Sequence, residues 1–101
     1  MTDIVTRNRF PTPIDRAAVA ADWAKRGYSC GLFVDPPGQE WNNFVHNCNE
    51  LVMVAEGRLE MSVGDQSLIA EEGDEIFIPE GAVHSLKNIS GGVTKWLYGY
   101  D

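Results

Sequence analysis

Basic residues are scarce in this chain. Eight lysines and arginines stand against fifteen aspartates and glutamates, giving a formal charge of -7 and a pI near 4.6. The basic residues form no run, and an acidic surface repels phosphate backbones and anionic membranes, so no nucleic acid and no membrane is expected as a partner. Cysteine is nearly absent too: Cys30 and Cys48 allow at most one bridge, which excludes a disulfide-dense scaffold. Long apolar runs are missing, since no stretch approaches the roughly 18 residues of a membrane span. The N-terminus also lacks the charged-then-apolar layout of a signal peptide. A cytoplasmic location is therefore expected, with both thiols reduced. What remains is ordinary globular composition, 44% hydrophobic and 23% charged over 101 residues, enough for a single domain spanning 1–101.

Residues 1–13 are mostly polar, contain two prolines and show little periodicity, so an extended arm is expected there. The next stretch, DRAAVAADWAKR, predicts a helix over 15–26. Asp15 suits the N-cap, alanine favours the interior, Val19 and Trp23 stack at i,i+4, and Lys25, Arg26 and Gly27 close it. Over 28–100 the period changes to two. YSCGLFV, WNNFVH, LVMVA, RLEMSV, QSLIA, EIFI, HSLKN and VTKWLYGY alternate with turn signals such as PPG, EG, GD, EEGD and SGG. With no helices between them these strands must pair antiparallel. An all-β jelly roll or closed barrel, carrying one short N-terminal helix, is the expected fold.

Only two histidines occur, and both fall in suggestive places. His46 and Glu50 stand where the segment WNNFVHNCNE leads into the apolar strand LVMVA. His84 opens a later strand after a turn built on Pro79 and Gly81. Alternation puts Phe44 and His46 on one face of their strand, and Glu50 reaches the same interior from the next strand, with Val52 and Val54 at its parity. Two imidazoles and a carboxylate make a metal set of 2-His-1-carboxylate composition. The expected pocket around it is Trp41, Phe44, Val52, Val54 and Leu86, with Cys48 as a reserve ligand. In a β-barrel a buried His and Glu also occur simply hydrogen-bonded to each other, without a metal. The aromatic tail Trp96, Tyr98 and Tyr100 alternates on one strand face and is expected to pack.

The two segments resemble the paired signature motifs of the cupin superfamily, in its RmlC-like jelly-roll form. The first motif runs through Gly38, Phe44, His46, Glu50 and Gly57, and the second through Gly73, Pro79, Gly81, His84 and Asn88, every spacing kept. Together with the segment between them they span about half the chain. One departure stands out: Phe44 occupies the place of the first motif's first histidine. The resemblance thus implies a reduced metal site of His46, Glu50 and His84, holding a divalent ion such as Fe, Mn, Ni, Co or Zn. It also implies a homodimer and a small-molecule ligand, an acid or a carbonyl compound. A small metal-dependent enzyme acting on such a compound is one expectation, although no Asp, Lys or Tyr in the motifs stands out as a general base; a metal-free or non-catalytic binding or sensor module is the alternative.

Overall fold

The computed structural model describes residues 3–101, so Met1 and Thr2 of the expected arm lie outside the described residues. The rest of the arm is not free. A two-residue strand, β1 (Val5–Thr6), pairs with a later strand, β7 (Glu75–Ile78), and buries Ile4 behind it. Asp74 fastens the turn that follows, accepting from the Asn8 N–H at 3.0 Å and the Arg7 guanidinium at 2.6 Å.

Helix α1 (Arg16–Lys25) starts where its cap requires, with Asp15 accepting from the N–H groups of Ala17 and Ala18 at 3.0 and 3.3 Å. It ends as a Schellman motif: Gly27 at φ +88° donates to the Ala24 carbonyl and Tyr28 to that of Trp23. The buried Val19 and Trp23 seat the helix on Leu51, Met53 and Leu97. Gly99 permits that approach, since a Cβ there would lie 2.0 Å from the Ser29 carbonyl oxygen and 2.9 Å from the Trp23 ring.

The remaining strands are β2 (Gly31–Asp35), β3 (Glu40–Phe44), β4 (Glu50–Glu56), β5 (Leu59–Val63), β6 (Gln66–Ala70), β8 (His84–Asn88) and β9 (Thr94–Tyr100). They form two antiparallel sheets, ordered β1-β7-β4-β9-β2 and β3-β8-β5-β6. Their distribution between the two sheets is consistent with a jelly roll. Among the described residues the strand ladders do not join the sheets into one closed ring, which corrects the closed-barrel expectation. Tyr28–Cys30 and Val45–His46, expected as strand, belong to connections.

Burial follows from this layering. Strand β4 is covered on both sides: Val52 and Val54 face the inter-sheet core with Leu59, Met61, Ile76 and Ile78, while Leu51 and Met53 face α1. That explains its unbroken apolar run. The four-stranded sheet has only one buried face, so β5 alternates strictly, with Leu59, Met61 and Val63 inward. Asn88 ties two turns at one end, its amide donating to the carbonyls of Asp35, Pro36 and Gly92 and its oxygen accepting from Thr94 Oγ1 at 2.6 Å. No described helix is long and apolar enough to cross a membrane.

Candidate metal centre

Three connections converge at the other end of the sheets. Strand β3 loses its regular register between Trp41 and Phe44, where Asn43 takes φ +59°, and it stops at Phe44 opposite His84. His46 therefore sits in the β3–β4 connection rather than on a strand. Its carbonyl accepts from the Gly81 N–H at 3.0 Å, which stitches this loop to the Pro79–Ala82 turn. Glu50 is the first residue of β4, held between Ile78 and Tyr100 on the neighbouring strands. His84 is the first residue of β8.

The three side chains meet. Glu50 Oε1 lies 3.4 Å from His46 Nε2 and 3.5 Å from His84 Nε2, and one ligand atom from each residue falls within 4.8 Å of the others. The Glu50 and His84 side chains are 4% and 5% exposed, and His46 is open at 28%. His84 Nδ1 is 3.1 Å from the Ala82 carbonyl oxygen. That carbonyl can only accept, so it assigns the proton to Nδ1 and leaves the Nε2 lone pair aimed at Glu50. Glu50 Oε1 is buried with no hydrogen-bond partner among the described residues. The Glu50 oxygen and the His84 Nε2 lone pair thus face one point, and His46 Nε2 adds a third acceptor there in its Nδ1–H tautomer, an arrangement a cation satisfies.

The electrostatics agree with the geometry. Burial pushes the Glu50 carboxyl up to about 7. Burial also lowers His84, helped by His46 and opposed by the bond to Ala82, which keeps its imidazole neutral and fit to ligate. Tyr100 is pushed up to about 12, first by burial and then by Glu50, so its hydroxyl keeps its proton.

Above the triad lies a cavity of about 120 Å³. Of the expected wall residues it takes Trp41, Phe44 and Leu86. Val52 and Val54 do not reach it: both are fully buried deeper in the core. Cys48 stays in the β3–β4 connection, outside both the cavity lining and the ligand cluster. Cys30 and Cys48 are both free thiols. Phe33, Trp96 and Tyr100 complete the wall and were not expected there. Trp41 and Trp96 both donate their indole N–H to the same Asp35 Oδ2, at 3.0 and 2.8 Å. The Phe44 ring, 40% exposed, stands at the mouth, 6.4 Å from the His46 ring and 6.3 Å from that of His84.

A family model described as a cupin domain matches residues 31–100. The chain belongs to the cupin superfamily. No curated protein matches it in sequence. Among solved structures it is similar to a cupin 2 domain-containing protein from Halorhodospira halophila, at 21% identity and TM-score 0.68 over 73% of this chain and 52% of that one. It is also similar to the TT1209 protein from Thermus thermophilus, at 24% identity and TM-score 0.66, covering 72% of this chain and 71% of the other. An oxalate oxidase in complex with the substrate analogue glycolate matches at 20% identity and TM-score 0.67, with 74% and 42% covered. The first of these spans about twice the matched length, and at such identities the likeness shows the fold alone. In this cupin the position opposite His84 carries a phenyl ring, so the cluster is His46, Glu50 and His84 without a fourth ligand from Phe44.

Proposed function

We propose that this chain binds one divalent metal ion through His46, Glu50 and His84 and uses it to hold a small acid or carbonyl compound in the adjoining cavity. The observation that carries this reading is the buried, unpartnered Glu50 Oε1 with two imidazole Nε2 atoms at 3.4 and 3.5 Å. Fe, Mn, Ni, Co and Zn all suit such nitrogen and oxygen donors. When bound, the ion supplies a Lewis-acidic centre for a ligand oxygen. The chain supplies the rest. Ala82 fixes the tautomer of His84, the Gly81–His46 bond holds the two ligand-bearing loops together, and the aromatic wall limits water. The fold neighbour that is an oxalate oxidase is an enzyme on a similar framework; for this chain the reading proposed is metal-dependent ligand binding.

Elemental analysis of protein purified without chelator tests it. One equivalent per chain is expected, and less than about a tenth of an equivalent after supplementation with each of the five metals would overturn the reading. A metal-free ligand-binding module is the second reading, favoured by Phe44 in place of a fourth ligand. It predicts ligand affinity that is unchanged by chelators. Assembly as a homodimer is proposed as well, supported by the exposed Leu32 and Val34 on edge strand β2. A monomer mass by light scattering at tens of micromolar protein would refute the dimer.

A further inference from the structure

The walls of the cavity narrow the ligand class further than the metal ligands do. Every lysine and arginine of the described residues lies outside the lining. A divalent ion neutralised by Glu50 would leave a net charge of about +1, which one anionic head group satisfies. A second carboxylate would be buried with no cation to meet it, and the Asp35 carboxylate behind the indoles adds to the repulsion. Donors are equally short. Both tryptophan N–H groups are committed to Asp35, so Trp41 and Trp96 offer ring surface to a ligand rather than hydrogen bonds. Apart from the triad, Tyr100 carries the one side-chain polar group left among the lining residues. The body of a ligand therefore meets Phe33, Trp41, Phe44, Leu86 and Trp96. A cavity of about 150 Å³ is known to take up benzene, so this one of about 120 Å³, open at Phe44, has room for about one ring.

Resting on the metal reading, we infer that the site takes a flat, apolar molecule with a single oxygen donor head, such as an aromatic monocarboxylate, and rejects dicarboxylates and polyhydroxy acids. This is narrower than the class of small acids in general, and it excludes the sugar acids within it.

The test uses the full chain loaded with cobalt(II), whose visible absorption reports both occupancy and ligand entry, titrated with benzoate, glycerate and succinate. Benzoate is expected to bind about tenfold or more tighter than either of the others. Glycerate or succinate binding as tightly as benzoate overturns the inference. A second arm uses Phe44→Ala, which leaves the three ligands in place and sits at a part-exposed position. It should lower benzoate affinity about fivefold and glycerate affinity less than about twofold. An equal fall for both probes also overturns it. The two readings fail differently: no cobalt band in the wild-type chain sinks the metal site and the ligand class with it, whereas a normal band with the inverted ligand order sinks the ligand class alone.

Discussion

Two buried carboxylates on neighbouring strands of one sheet have opposite surroundings. Glu75 on β7, 5% exposed, accepts from the Trp23 indole at 2.8 Å and from both Arg26 Nη atoms at 2.9 Å, with Arg9 at 3.8 Å. Glu50 on β4, 3% exposed, has imidazole nitrogens near one oxygen and no donor bonded to it among the described residues. Glu75 faces α1 and pins the helix to the sheet. Glu50 faces the space between the sheets and is left expectant. A buried charge that is fully met by its own chain explains a fold; one that is not met points outside the chain.

The contrast can be broken at either end. Glu75→Ala should have the largest effect, about 4 kcal/mol off the unfolding free energy, because it strands the buried Trp23 N–H and removes two charge-assisted bonds from Arg26, which keeps only Asp22. Urea melts would show it, with metal affinity unchanged. A loss below about 1 kcal/mol would mean that the Glu75 cluster is ornamental.

Next comes pH. Glu50 has its folded pKa raised from 4.5 to about 7, so its protonated form stabilises the metal-free protein fully below about pH 4.5. That stability is lost as pH rises through 7, by up to about 3 kcal/mol. Bound metal should reverse the trend, since it needs the carboxylate ionised and both imidazoles neutral. Melting curves with and without zinc across this range should diverge as pH increases; parallel curves would argue that Glu50 is not a ligand.

Glu50→Gln should follow, lowering metal affinity about a hundredfold, or about 2.7 kcal/mol, while leaving the metal-free protein at neutral pH as stable as before or more so. Calorimetric titration alongside a melt decides it, and strong destabilisation without metal would make Glu50 a structural carboxylate like Glu75. Phe44→His should have the smallest effect, tightening metal about tenfold, or about 1.4 kcal/mol, by adding a ligand opposite His84. Unaltered affinity would show that position 44 does not face the ion.

The eight longer strands and the helix were legible because period-two alternation, capping residues and turn signals all agreed locally. The meeting of His46, Glu50 and His84 in one cluster was legible from residue type and motif spacing. The pocket was only half legible, and the reason is geometric. Parity assigns a side chain to a face but not to a depth, and each same-face step along a strand is about 6.6 Å. Val52 and Val54 share the face of Glu50 yet lie one and two steps below the cavity floor. Trp96 pairs with Val54 at that lower level, and its long indole still reaches the cavity. Tyr100 enters because β9 places it directly opposite Glu50, a pairing no local pattern reveals. Cys48, the reserve ligand, stays out of the cluster because alternation holds only inside strands, and the chain there is a loop. Asp35 sits at a strand end before Pro36, and its partnership with two tryptophans distant from one another in sequence exists only once the sheets are packed.

That partnership also gives the molecule an optical property. Of its three tryptophans, Trp41 and Trp96 stand on the cavity wall with their indoles fixed to one carboxylate, while Trp23 is sealed beneath the helix against Glu75. Two emitters therefore watch the site and the third watches the scaffold. Quenching by a paramagnetic ion or a bound ring should fall on the first pair, so the intrinsic fluorescence of the unlabelled chain separates arrival at the site from loosening of the fold.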